Sequence, residues 1–369
     1  MEGTAALKTP IVYPTGAEKW ILVITAISCA ILELLDTTIV NVSLREISGN
    51  VGATTTEIAW VVTAYAISNV IIIPLTSMLS DFFGRRNYFT GSVIIFTVAS
   101  LMCGLSDSLW TLVFWRFVQG LGGGGLLSTA QSIIIGAFPP EKISTANAIF
   151  GMGLILGPTF GPTLGGYITD NFSWHWIFFV NIPIGIVATI LSYRYVTDRP
   201  GAVKPKKIDW WGILFLVVSI GSIQYVLEEG TAEDWFESHE ITAMTIIGLG
   251  ALAAFIIREL RIDYPAVNIR LYKNYNMIMG SIMNFLLGLM LFGTVFIFPL
   301  FVQISLGWTA TQTGMFMIPG ALCTAVAMPL ATKSAAHSWR ALCSARTCCC
   351  TAPRRARLWG SAIAAPIDP

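Results

Sequence analysis

A chain of 369 residues that is 54% hydrophobic and only 12% charged, with a formal net charge of +1, lacks the make-up of a soluble domain. Soluble domains carry about 25% charged residues. A fold this apolar has too little polar surface to stay dissolved, and the near-zero charge gives no ground for a nucleic-acid partner.

A bilayer core of about 30 Å needs roughly 20 apolar residues per helix. Ten stretches meet that length: residues 20–42, 58–79, 88–106, 110–137, 145–168, 174–196, 210–228, 241–258, 277–303 and 312–332. They are continuous rather than alternating, and an unpaired backbone is too costly in lipid, so the prediction is an all-α polytopic membrane protein with about ten transmembrane helices. No small-x-small cleavage site follows the first stretch, which therefore reads as a membrane helix rather than a removed signal.

Orientation follows from the bases. With the N-terminus cytoplasmic, the inner loops hold Lys8, Lys19, Arg85, Arg86, Lys142, Arg194, Arg199, Lys204, Lys206, Lys207, Arg258, Arg261, Arg270 and Lys273. The outer loops up to residue 332 hold only Arg45. The expected organisation is a cytoplasmic N-terminus (1–19), a six-helix bundle (20–196), a cytoplasmic linker rich in Pro, Gly and Lys (197–209), a further helix pair (210–258) and the first two helices of a second bundle (259–332). Beyond Thr332 the usage turns abruptly to Ala, Arg and Cys, as a reading-frame error or truncation would make it; 333–369 reads as an aberrant, unstructured tail.

Charged residues inside the spans mark the candidate site. Glu33 and Asp36 lie three apart on one face of the first helix. Carboxylates at membrane depth are expensive, so they face a cavity or a partner: a proton or cation site on one reading, a tie between helices on the other. Arg116 is the arginine within a span, cannot be neutralised, and needs a carboxylate, carbonyls or water close by, for which Asp36 or Glu33 is the natural candidate. Gly122–Gly125 lacks the Gly-Lys-Ser or Gly-Lys-Thr of a phosphate loop and suits close helix packing. In the fifth helix, Gly153, Gly157, Pro158, Gly161, Pro162 and Gly165 repeat at turn spacing, giving two kinks and a smooth face. That helix either bends to seal a pathway or simply packs. Between the second and third helices, Asp81, Gly84, Arg85 and Arg86 make a charged cytoplasmic turn in which Asp81 is placed to accept from the first amides of helix three. Cys29, Cys103 and Cys323 read as small buried hydrophobes. The adjacent Cys348, Cys349 and Cys350 have no ligand spacing, so no metal or cofactor is expected. Three histidines without a carboxylate cluster speak against an enzyme. Phe285, Met290 and Phe292 could line an apolar pocket or face lipid.

Six motifs stand in order along the chain: "LDTTIVNVSL" from Leu35, "SMLSDFFGRR" with Ser77 where a glycine is usual, "RFVQGLGGG" with Arg116, Gln119 and Gly120, "GLILGPTFGPTLGG", "WHWIFFVNIPIG" from Trp174, and "EDWFESHEI" from Glu233. Over residues 18–332 the chain resembles the major facilitator superfamily, in particular its EmrB/QacA-type drug:proton antiporters. The resemblance implies fourteen helices, of which four are not found here, and proton-driven export of small amphipathic, often cationic, compounds across the bacterial cytoplasmic membrane. In Gram-negative members it also implies a periplasmic adaptor and an outer-membrane channel. Carried over, Asp36 and Arg116 belong to a central cavity; Asp81, Arg85 and Arg86 form an inner gate; Gly157, Pro158 and Gly161 belong to the antiporter helix. Alternatives are an inactive product of an exporter gene and a transporter of another small solute.

Overall fold

The computed structural model describes residues 13–198, 209–231, 233–262, 265, 267, 269–308, 312, 313, 315, 316, 319, 320, 323 and 327. The described residues form helices without strands. In chain order these are α1 (Gly16–Val51), α2 (Thr55–Phe83), α3 (Arg85–Gly104), α4 (Leu109–Gly123), α5 (Leu126–Gly136), α6 (Ile143–Asn171), α7 (Trp176–Phe179), α8 (Asn181–Tyr195), α9 (Trp210–Glu229), α10 (His239–Arg261) and α11 (Tyr275–Ser305). Seven helical runs among the described residues are long and apolar enough to cross a membrane: α1, α2, α3, α6, α7 with α8, α9 and α10.

Helix boundaries follow local chemistry. α1 runs past the expected 20–42 at both ends and stops at Gly52, whose left-handed φ of 67° lets its N–H bond Ser48 O. α2 opens with a capping box: Glu57 N donates to Thr54 Oγ1, and Thr54 N donates to Glu57 Oε2 at 2.9 Å. The expected fourth helix, 110–137, is two pieces, α4 and α5, parted at Gly124–Gly125. The expected sixth, 174–196, is likewise divided into α7 and α8. More than half of the expected tenth helix, 312–332, falls outside the described residues, and residues 333–369 wholly so.

α1 is central. It packs on α6 along most of its length and also meets α8, α5 and α2; α4 lies between α2 and α3, and α8 closes against α3. The packing is close because the contacts are glycine. A Cβ on Gly157 would stand 2.7 Å from Leu34 Cβ, and one on Gly165 would stand 3.2 Å from Ile39 O. Gly153 and Gly161 face Ile27 and Thr38 in the same way, so the stripe at 153, 157, 161 and 165 is the seat of α1. Gly122 faces the backbone of Ser92 and Phe96 on α3, the close-packing use expected for that run.

Two buried apolar clusters share α1. One holds Leu22, Ala26, Cys29 and Leu32 with Phe89, Phe96, Leu126 and Phe138. The other holds Ile39, Val40 and Ile47 with Leu112, Trp174 and Phe178. Residues 33–38 lie between them. Outside this bundle, α9 and α10 pair with each other, and α9 lies on α2 through Ile71, Leu75 and Leu216.

Candidate functional site

The gap between the two clusters holds a charged centre. Asp36 on α1 and Arg116 on α4 are each 1% exposed and form an ion pair of 2.5 Å through Arg116 Nη1 and Asp36 Oδ2. Asp36 Oδ1 accepts from Gln119 Nε2 at 2.9 Å and from Asn181 Nδ2 at 2.9 Å. Arg116 Nη1 also donates to Gln119 Oε1 at 2.8 Å, and its Nε donates to Val61 O on α2 at 3.2 Å. The guanidinium stacks 4.2 Å from the centre of the Tyr65 ring. Asn181 Nδ2 is shared with Ser100 Oγ on α3, which in turn donates to Phe178 O at 2.9 Å. One carboxylate thus gathers α1, α4 and α8 directly, and α2 and α3 through its partners. A charge carried to this depth is tolerated only with such partners.

Local sequence explains the arrangement. Arg116 and Gln119 are three apart on α4, which sets both on one face. Gly120, one residue on, has no side chain to hold α2 away: a Cβ there would stand 2.5 Å from Tyr65 O. Asn181 sits at the start of α8, with its side chain directed inward to Asp36.

Glu33 does not join Arg116. Its Oε1 accepts from Asn69 Nδ2 on α2 at 3.3 Å, and its Oε2 accepts from the Leu127 N–H at 3.0 Å. Leu127 is in the first turn of α5, so Glu33 takes up one of the amides that the Gly124–Gly125 interruption frees. The two acids that share a face of α1 therefore serve separate centres.

At the α2–α3 turn, Gly84 has φ 85°, a conformation that favours glycine, and Asp198 Oδ1 lies 3.0 Å from where a Cβ would be. Arg86 N donates to Asp198 Oδ1 at 3.0 Å. The acceptor at the head of α3 is thus Asp198 and not Asp81, because the chain leaving α8 reaches the α2–α3 turn and fills the place expected for Asp81. Arg85 donates from Nη2 and Nε to Thr197 O, at 2.6 and 3.1 Å. The Arg86 guanidinium lies over the Tyr193 ring at 4.2 Å. Asp81 is exposed and lines a cavity of about 200 Å³. Pro158 and Pro162 lie buried inside α6, on the helix that seats α1. Phe285 and Met290 are 69% and 70% exposed on α11. The Phe292 side chain lies outside the described residues. Cys29 and Cys103 are buried as expected, whereas Cys323 is exposed.

Asn181, Asn69 and Asp198 were given no role on sequence grounds. The first two had a usable signal, a lone amide inside an apolar run, which in lipid needs a partner. Asp198 had none, since its partner lies more than a hundred residues away.

A bundle of membrane-length helices closed around a buried ion pair is the build of a polytopic membrane carrier. The Major Facilitator Superfamily model matches residues 26–365, and the chain belongs to that superfamily, a family of transporters. It is 36% identical over 315 residues to the "Multidrug export protein EmrB" of Escherichia coli (strain K12), covering 85% of this chain and 62% of that protein. It is 37% identical over 299 residues to the "Fatty acid resistance protein FarB" of Neisseria gonorrhoeae, covering 81% and 59%. The "Probable multidrug resistance protein EmrY" of Escherichia coli (strain K12) is 35% identical over 316 residues, covering 86% and 62%. The chain spans less than two thirds of the length of these relatives.

Proposed function

We propose that this chain serves proton-coupled efflux of small amphipathic drugs or toxic compounds across the bacterial cytoplasmic membrane, with its N-terminus in the cytoplasm. The observation that carries this reading is the Asp36–Arg116–Gln119–Asn181 centre. Asp36 is the group whose charge can change, because arginine stays charged. A proton on Asp36 removes the anion that holds α1, α4 and α8 together. Arg116 then keeps only its bonds to Gln119 and to Val61 O. A packed interior switches between discrete arrangements rather than deforming smoothly, so loss of this one attraction biases the whole bundle. Export needs such an event once per cycle. The names of the multidrug-export relatives supply the direction of transport and the substrate class.

The Gly84, Arg85, Arg86 turn locked to Thr197 and Asp198 acts in this reading as the cytoplasmic gate, with Asp81 at its mouth. The glycine stripe of α6 is the surface on which α1 moves. Residues 20–196 form one functional bundle, 210–258 an accessory pair, and 259–332 the start of a second bundle. A periplasmic adaptor and an outer-membrane channel complete the assembly.

Dye uptake into everted vesicles carrying this chain tests the reading. Energised vesicles should accumulate a cationic dye, and Asp36→Asn should abolish uptake while the protein stays in the membrane. Wild-type uptake by the Asn variant sinks the role of Asp36. Absence of uptake by the unaltered chain sinks the efflux reading for it.

A further inference from the structure

The Asp36 centre holds an amide oxygen that nothing uses. Asn181 Nδ2 donates twice, to Asp36 Oδ1 at 2.9 Å and to Ser100 Oγ at 3.1 Å. Asn181 Oδ1 is buried without a hydrogen-bond partner among the described residues. Buried amide oxygens are bonded as a rule, so an empty one beside an ion pair calls for a use. As an anion, Asp36 only accepts, and Arg116, Gln119 and Asn181 all donate to it. As a neutral carboxyl it carries an O–H and needs an acceptor in place of one of those donors.

Of the two amides on Asp36, one is free to change role. Gln119 Oε1 already takes Arg116 Nη1 at 2.8 Å and Cys103 Sγ at 3.7 Å. Turning the Gln119 amide over would set its NH2 against the guanidinium, donor against donor. Asn181 Oδ1 gives up nothing when its amide turns. A half-turn about the side-chain bond puts Oδ1 where Nδ2 stood, facing Asp36. The other titratable groups near Asp36 are Glu33 on its own helix, Tyr65 on α2 and Cys103 on α3. Glu33 is held by Asn69 and Leu127 N, and the Tyr65 hydroxyl lies beside Gly123, a turn past Gln119.

The half-turn reaches a second pair of helices. It takes Nδ2 away from Ser100 Oγ, the hydroxyl that donates to Phe178 O at 2.9 Å in α7. α3 is pressed against α7 and α8 on both sides of that bond. A Cβ on Gly185 would stand 2.8 Å from Thr97 Cγ2, and one on Gly104 would stand 2.7 Å from Phe179 Cδ1. Asn181 is therefore bonded at once to the carboxylate on α1 and to the seam between α3 and α8.

We propose that Asn181 is a positioning residue whose amide reverses as Asp36 changes charge, offering Nδ2 to the carboxylate and Oδ1 to the carboxyl, and so passes the state of α1 to α3 and α8. This rests on the efflux reading, which supplies the proton. The proton goes from the medium to Asp36 Oδ1, the oxygen that Arg116 does not hold, and otherwise only hydrogen bonds change. Infrared difference spectra between high and low pH, taken on the purified chain in lipid, test it without a transported drug. The carboxyl C=O stretch that Asp36→Asn removes belongs to Asp36. Asparagine isotope-labelled in its side-chain carbonyl marks the amide bands. An asparagine band should shift together with the Asp36 carboxyl band, and Asp36→Asn and Asn181→Leu should each abolish that shift. In Asn181→Leu the Asp36 carboxyl stretch should rise, because its O–H has lost an acceptor. In Asn181→Thr, whose hydroxyl both donates and accepts, it should fall back. An Asp36 stretch at one frequency in all three chains overturns the proposal. If Asn181→Leu does not fold, the labelled unaltered chain and Asp36→Asn decide. An asparagine shift that survives Asp36→Asn is that of another pair, such as Glu33 with Asn69, and if it is the only one the proposal falls. An Asp36 carboxyl band without an asparagine shift overturns this proposal and leaves the efflux reading standing. No Asp36 carboxyl band at any pH overturns both.

Discussion

Asp36 and Arg116 are paired across two helices, and neither tolerates loss of the other. Removing one partner of a buried pair leaves an uncompensated charge and costs about 3–5 kcal/mol, whereas replacing both with apolar groups of similar volume is often close to neutral. Arg116→Met is therefore expected to destabilise the bundle more than the double change Asp36→Leu with Arg116→Met. Unfolding of the purified proteins in detergent measures this. Equal loss in single and double variants would mean that Gln119 and Asn181, not the ion pair, hold α1 to α4 and α8. Sequence had left Arg116 between Asp36 and Glu33. Three residues on a helix face bring both acids to the same side, and spacing along α1 does not say which of them meets α4. What separates them is the interruption at Gly124–Gly125, which offers Glu33 the Leu127 amide and leaves Arg116 to Asp36. That interruption looks, in sequence, like any glycine-rich packing face.

Among the elements, α6 and α10 carry the sharpest expectations. The α6 glycine stripe was legible because glycine at every fourth position has few uses in a membrane helix other than close approach; that α1 fills it was not, since nothing local names the partner. Gly157→Ala should destabilise by about 1–3 kcal/mol, because its Cβ would overlap Leu34 Cβ, a backbone-fixed atom that cannot swing aside. Gly91 on α3 has nothing near a Cβ, so Gly91→Ala should be neutral or slightly stabilising, by about 0.5–1 kcal/mol at most. Thermal unfolding of the two variants compares them; equal effects would mean that α6 does not press on α1. The α9–α10 pair is locked at the end where α9 begins and α10 finishes by Asp209, which accepts from Arg258 Nε at 2.9 Å and Nη2 at 2.8 Å. Burial pushes the Asp209 carboxyl up, but the Arg258 hydrogen bonds, helped by those of Gly212 and Trp211, outweigh it and hold the carboxyl below its ordinary range. A carboxyl lowered on folding contributes stability above its unfolded value, and that contribution is lost as pH falls through the folded one. The α9–α10 pair should therefore loosen on acidification below the usual aspartate range. Asp209→Asn should remove the acid-dependent part, as followed by cysteine crosslinking between the two helices. An acid response unchanged in Asp209→Asn would assign it elsewhere.

For the whole molecule, the helical class and most spans were legible because lipid permits few solutions and apolar length is a direct reading of them. The interruptions in the fourth and sixth spans were hidden for the same reason: α4–α5 and α7–α8 stay apolar through their breaks, and composition registers hydrophobicity, not a hydrogen-bond ladder opened by a distant Glu33 or turned to deliver Asn181. Orientation rests on the bases alone, and its geometric consequence is specific. If the turns at Gly84, Lys142 and Asp198 share the cytoplasmic side, then the α3–α4 turn at Asp107, the α6–α7 turn at Phe172 and the acidic turn at Glu237 share the other. The structure ties the Gly84 and Asp198 turns together independently of any charge rule, through Arg85 to Thr197 and Arg86 to Asp198, and Pro140 and Ile143 beside Lys142 line the same cavity as these residues. In a background without the native cysteines, Glu237→Cys and Asp107→Cys should react with an impermeant maleimide added to intact spheroplasts. Lys142→Cys should react only after the membrane is opened. Labelling of Lys142→Cys alone in intact spheroplasts would invert the molecule and set the Arg85–Thr197 and Arg86–Asp198 bonds on the outer face. Labelling of all three would mean that Lys142 and Glu237 do not lie across a sealed bundle, and the gate assignment would fall with it.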